Sequence, residues 1–130
     1  MSKILYLYSF LIFISCSTKN HEITYHDNGS IKYDVVYKDS KLDGFTKTYD
    51  ENGNLINKSS YVNNQLHGQW IDYYQSGNIQ HLINYNYNFK DGKEIWYYES
   101  GNIKSQLIYK EDKIISDIIR WDQEGKIIDE

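Results

Sequence analysis

From residue 22 onward, short stretches rich in Ile, Val, Tyr and Trp alternate with polar clusters built around Asn-Gly or Ser-Gly, and the alternation has a fixed period. YYQSGNI at Tyr73–Ile79 returns as YYESGNI at Tyr97–Ile103, 24 residues later. At that spacing Gly29, Gly53, Gly77, Gly101 and Gly125 form one column without an insertion. Four residues before each stands an aromatic (Tyr25, Tyr49, Tyr73, Tyr97, Trp121), and two after it stands Ile or Leu. Tyr37, Tyr61, Tyr85 and Tyr109 form another column, and Gly44, Gly68 and Gly92 a third that fails at Ser116. Such self-similarity marks a repeat architecture, in which each unit buries its surface only against its neighbours.

An Asn-Gly or Ser-Gly pair between β-rich flanks supplies a residue that tolerates φ > 0. It therefore predicts a tight hairpin, a type I turn with the glycine left-handed. YKDSKLDG and YVNNQLHG predict a second, more polar turn in each unit. Two turns per unit leave two strands of about six to eight residues, so the expected fold is all-β, a repetitive antiparallel hairpin meander of about five 24-residue repeats. Period-2 reading assigns positions 31, 35 and 37 and their equivalents, together with 71, 73, 95, 97, 119 and 121, to one packed face. The Tyr columns are then ladders of stacked rings.

Composition agrees with this and adds an address. The chain has 14 Tyr, no Pro and no Ala, a bias towards strand and turn formers. At the N-terminus, Lys3 and the apolar run Ile4–Ile14 fit the n- and h-regions of a secretory signal, and the run is too short to span a bilayer. It ends at Ser15-Cys16, the single cysteine, so no internal disulfide can form. This junction resembles the lipobox of bacterial lipoproteins, which implies cleavage and acylation at Cys16, although Phe13 stands where the pattern usually has Leu. A plain signal peptide with an incidental cysteine is the alternative. The expected organisation is a signal peptide over 1–15, a lipid-anchored linker over 16–21 and the repeat domain over 22–130. Without Lys3, 13 Lys and Arg remain against 18 Asp and Glu, a net charge of −5. No basic patch is visible, which disfavours nucleic acid as a partner.

Tyr, six residues, then Gly (Tyr37 to Gly44, Tyr61 to Gly68, Tyr85 to Gly92), followed by TYDENGNL, YYQSGNI or YYESGNI, resembles the variant MORN repeat of bacteria. The likeness covers residues 22–130. Where the classical repeat has an extra Gly after its first Tyr, Ser40, Asn64 and Asn88 lie nearby, so the lipid binding proposed for some MORN proteins does not carry over. Many bacterial members carry an antitoxin label, which implies a protein partner more than a catalytic role. TYDENGNL also looks like the Tyr-Asp repeats of large secreted toxins, but the second glycine column favours MORN.

Candidate chemistry is sparse. His21, His26, His67 and His81 fall in different repeat columns and none pairs with Cys or another His at metal-ligand spacing. No nucleophile elbow, phosphate loop or catalytic triad has a structural context, so neither catalysis nor a cofactor is expected. Trp70, Tyr74, Trp96 and Tyr98 occupy alternate positions around Tyr73 and Tyr97, pointing by period 2 away from the packed face, with Leu82 on the strand between and Asp72 and Glu94 on the same side. They form either an exposed interaction patch or a side buried by curling of the sheet. The expectation is a non-enzymatic scaffold, exported and lipid-anchored in the cell envelope, that binds a protein outside the cytoplasm. A secreted or periplasmic location is the alternative. Two narrower functions stay open, an immunity or antitoxin-like protein and a binder of glycan or peptidoglycan through the aromatic patch. Oligomeric state is unknown.

Overall fold

A computed structural model describes residues 18–129. The signal segment and Cys16 lie outside the described residues. The elements are β1 (Lys19–Tyr25), β2 (Ile31–Lys38), β3 (Lys41–Tyr49), β4 (Leu55–Val62), β5 (Gln65–Tyr73), β6 (Ile79–Asn86), β7 (Phe89–Tyr97), β8 (Ile103–Lys110), β9 (Lys113–Ile114), β10 (Ile119–Trp121) and β11 (Ile127–Asp129). They form one antiparallel sheet in chain order, except that β10 continues from β8 while the short β9 also pairs with β8. Contact between elements is overwhelmingly between neighbours in this sheet. β1 begins inside the segment expected to be linker, because Lys19, Asn20 and His21 pair with Lys38, Tyr37 and Val36.

Two turn types alternate, and each has its own chemistry. At the first, Gly53 N–H donates to Asp50 C=O at 3.0 Å and Asp50 N–H to Asn54 C=O at 2.9 Å, with Gly53 at φ 85. That is a type I turn closed by a left-handed glycine. The second is a two-residue turn with φ > 0 at both positions: Asp39-Ser40, Asn63-Asn64, Tyr87-Asn88 and Glu111-Asp112. Positive φ at both central residues defines type I′, whose twist matches the strands it joins. Asn64 and Asn88 take the place of an extra glycine by tolerating this conformation. They also clip repeats together: Asn64 N–H donates to Leu42 C=O (2.9 Å), and Leu42 N–H to Asn64 Oδ1 (2.7 Å). Asn88 does the same with Leu66 and Asp112 with Lys90.

The second glycine column sits opposite register shifts between Val35 and Tyr37, Ser59 and Tyr61, and Ile83 and Tyr85. A Cβ on Gly68, at φ 99, would come within 3.2 Å of Ser60. Where the column fails, Ser116 Oγ accepts Ile108 N–H at 2.8 Å, and the chain leaves the repeat geometry between β9 and β10. The fifth unit survives only as the short β10–β11 hairpin around Gly125. An atypical terminal unit is usual for repeat folds.

Register corrects the assignment of faces. Ile71 lies opposite Lys58 and Leu82, whereas Ile83 lies opposite Trp70 and Glu94, so the two isoleucines occupy different faces. The cause is the bulge after each glycine turn: Asp72 pairs with His81 but Tyr73 with Ile79, which leaves Gln80 as an extra residue. One extra residue inverts the phase of alternation. Positions 31, 55, 79 and 103 therefore share a face with 71 and 73, while 35, 59, 83 and 107 share the other with Trp70. Among the described residues the four most buried, Ser59 and Ile83 at 2%, Glu94 at 8% and His81 at 9% exposure, all lie on this second face.

Candidate interaction site

On this second face, successive cross-strand partners from β4 to β8 form two adjacent rows. One runs Asn57, Asp72, His81, Trp96, Ser105, and the other Ser59, Trp70, Ile83, Glu94, Leu107. On β3 the same rows hold only Thr48 and Thr46. The backbone is repeated while the chemistry is concentrated in the middle of the sheet.

His81 is its centre. Its Nε2 lies 2.8 Å from Glu94 Oε1 and its Nδ1 3.2 Å from Asp72 Oδ2. Asp72 also accepts Asn57 Nδ2–H at 2.6 Å and the Trp70 indole N–H, at 3.0 and 3.1 Å to its two oxygens. Lys90 Nζ is 3.8 Å from Glu94. The Trp96 indole stacks on the imidazole, centroids 3.9 Å apart and planes 15° from parallel. Burial alone would depress the His81 pKa, but hydrogen bonds and charge from Asp72 and Glu94 outweigh it and hold the group above the ordinary imidazole value. At Asp72 burial pushes upward, and the bonds from His81, Asn57 and Trp70 prevail, leaving the carboxyl below its usual range.

Of the residues proposed from sequence, Trp70 and Trp96 share this face. Trp96 is 41% exposed, and Trp70 is half-buried with its N–H tied to Asp72. Leu82 does not belong with them: it pairs with Ile71 and Ile95 on the opposite face, by the phase inversion at Gln80. Tyr74 and Tyr98 are turn residues just beyond β5 and β7, and their hydroxyls donate to the carbonyls of Tyr97 and Trp121, each at 2.8 Å. His26 makes the same reach to Tyr49 C=O at 2.9 Å. These side chains clip one repeat to the next, so only the two tryptophans of the proposed five sit on the cluster.

Sequence reasoning passed over His81 because it looked for histidines paired with one another. The Gly77 hairpin alone would set Asp72 opposite Gln80; the extra residue at the bulge moves the pairing to His81, so the Asp–His meeting was not in the turn signal. Among the described residues, no group of three or more His, Cys, Asp or Glu is arranged to hold a metal ion.

Residues 20–39, 42–63, 66–87 and 90–111 match the MORN repeat variant, together more than half of the chain. The chain belongs to the MORN repeat variant family. No curated protein matches it significantly. MORN repeats are associated with protein and membrane interactions, and their all-β repeat fold is typically non-catalytic. In this MORN protein the family columns of turn glycines and tyrosines mark the strands and turns of the sheet; Tyr61, Tyr85 and Tyr109 lie opposite Gly44, Gly68 and Gly92 rather than opposite one another, so the column is not a ladder of stacked rings. The cluster is not set by the repeat: Asp72 and Trp96 share a column with Thr24, Thr48 and Arg120, His81 one with Tyr33, Asn57 and Ser105, and Glu94 one with Glu22, Thr46, Trp70 and Ile118.

Proposed function

We propose that this MORN protein is a non-catalytic scaffold, exported and lipid-anchored through Cys16, that docks a protein partner on the face carrying Trp70 and Trp96. One observation carries the reading: an indole 41% exposed, held flat on a buried imidazole, stands at a position that Thr24, Thr48, Asp72 and Arg120 fill in the other repeats. Aromatic anchors fixed before binding lose little conformational entropy and carry a disproportionate share of interface energy. Affinity capture from the native envelope tests it. Wild type and Tyr73→Ala should retain a common partner that Trp96→Ala loses, with the Trp96→Ala melting temperature showing that its fold persists. If the partner is a toxin, the reading narrows to immunity. Equal capture by wild type and Trp96→Ala overturns the docking face. A ring flanked by carboxylates and an amide also suits a saccharide, so quenching of tryptophan emission by soluble glycan fragments, with no protein captured, would replace the protein by a carbohydrate. For the anchor, an alkyne fatty acid should label wild type and leave Cys16→Ala unlabelled.

A further inference from the structure

Both ring nitrogens of His81 face carboxylates, at 2.8 Å on Glu94 and 3.2 Å on Asp72. A neutral imidazole has a single N–H and can satisfy only one of them; the other nitrogen would direct its lone pair at an anion. Only the imidazolium donates to both. The arrangement is sealed on one side by the stacked Trp96 indole, a favourable neighbour for a cation. We propose that His81 is a proton-operated latch, which joins β5 to β7 across β6 and fixes the Trp96 indole when protonated and releases both when it loses the proton.

The charged groups facing it are few. β5 supplies Asp72, and β7 supplies Glu94, whose Oε1 lies 2.8 Å from His81 Nε2 and also has Lys90 Nζ at 3.8 Å. In the same row β4 and β8 supply only Asn57 and Ser105, and Arg120 follows on β10. Lys58 and Lys47 lie on the opposite face. Lys90 shares Glu94 Oε1 with the imidazole but at the longer distance, 3.8 Å against 2.8 Å, and His81 is the group that contacts both carboxylates.

The direction of the pH effect follows. A histidine with a higher pKa in the folded than in the unfolded chain contributes its stability in full below the unfolded value near ~6.5, and loses it as pH rises through the folded value. Asp72, held low, contributes above about 4 and fails as pH falls through its folded value. The latch is closed between those limits and opens towards alkaline pH.

A consequence for docking rests on the function proposed above: partner capture should be stronger near pH 6 than near pH 8.5, because Trp96 is preorganised only in the closed state. The experiment separates the two. First, NMR titration of the His81 ring, assigned with His81→Gln, together with urea unfolding of both proteins across that range. His81 should titrate above free histidine, and the wild-type advantage over His81→Gln should shrink about tenfold in the folding equilibrium constant for each unit of elevation lost. A ring already neutral at pH 6, or a pH-independent advantage, overturns the latch. Second, capture at both pH values: pH-independent capture beside a normal NMR titration overturns only the coupling to docking.

Discussion

Among the described residues the sheet carries two histidine–carboxylate clusters, on opposite faces and at different repeat positions, and they differ in almost everything except distance. Near the N-terminal edge, His21 Nδ1 is 3.2 Å from Asp34, which also meets Lys47 Nζ at 3.2 Å. In the middle, His81 Nδ1 is likewise 3.2 Å from Asp72. Yet the His21 side chain is 63% exposed and the His81 side chain 11%. His21 brings one ring nitrogen, Nδ1, to an anion, whereas His81 has both engaged. Contact distance alone does not rank such pairs. Exposed ion pairs gain little over hydration, while a buried charge stripped of one partner has nowhere to turn. The charge of Asp34 is still held below the usual carboxylate range, burial being overcome by Lys47 and His21, but solvent screens most of what that could contribute.

The sharpest way to break the contrast is to remove one carboxylate from each cluster. Glu94→Ala should cost about 2 to 4 kcal/mol, because it leaves an imidazolium buried with a single partner and opens space under Trp96. Asp34→Ala should cost about 0 to 1 kcal/mol. Urea unfolding of both variants at pH 6 checks the pair, and similar losses would mean that the central cluster is as solvated as the peripheral one.

Next comes the turn that aligns the central cluster. Gly77, at φ 88, closes the hairpin that puts Asp72 opposite His81, and a Cβ there would meet nothing within 4 Å. Any cost of Gly77→Val is therefore backbone strain, about 1 to 3 kcal/mol. Thermal unfolding measures it. An unchanged melting temperature would show that the turn adopts another conformation without penalty.

Why one part of this molecule was legible in sequence and another was not follows from the same turn. Gly29 to Gly125 recur because each must be left-handed, and a conformational demand of that kind leaves the same residue at the same interval. The antiparallel order of β1 to β8 could be read from it directly, whereas the step from β8 to β10 past the short β9 could not. Face assignment could not, because the bulge at Gln80 and its equivalents leaves no residue type of its own: Lys32, Ile56, Gln80 and Lys104 share nothing but position. Strict alternation carried across that bulge placed Ile71 with Ile83 and Leu82 with Trp70. Tyr74 and Tyr98 were misread for a related reason, since alternation cannot continue past the strand end into a turn, where their hydroxyls reach the next repeat. His81 was hidden by its partners being 9 and 13 residues away on separate strands.

A smaller effect separates the two faces through their exposed rings. Trp96 and Phe45 are 41% and 49% exposed, one stacked on His81 and the other 4.0 Å beneath the Lys58 ammonium. Phe45→Ala loses a cation–π contact at an exposed site, about 0.5 to 1 kcal/mol. Trp96→Ala uncovers a buried imidazolium and should cost more, about 1 to 2 kcal/mol, still short of the ~3 to 5 expected of a core tryptophan. Melting temperatures of the two variants give the order. If Trp96→Ala unfolds as readily as a core truncation, the ring is a structural lid, and docking must be sought elsewhere on the sheet.

The smallest expected change lies at Lys47, and it tests the peripheral cluster by its response to salt. Lys47 Nζ reaches Asp34 from a side chain 38% exposed, across a face where water has access to both partners. Removing it should cost at most about 0.5 kcal/mol in dilute buffer, and raising the salt to about 1 M, where the Debye length falls to about 3 Å, should erase the difference. The central cluster should behave otherwise, because ions cannot enter between His81 and Glu94, so the cost of Glu94→Ala should persist at the same salt concentration. Measuring both variants by urea unfolding at low and high salt sets the exposed and the buried arrangement side by side. If Lys47→Ala keeps its cost at high salt, the His21–Asp34–Lys47 cluster is shielded in solution, and the contrast between the two halves of the sheet fails at its peripheral end.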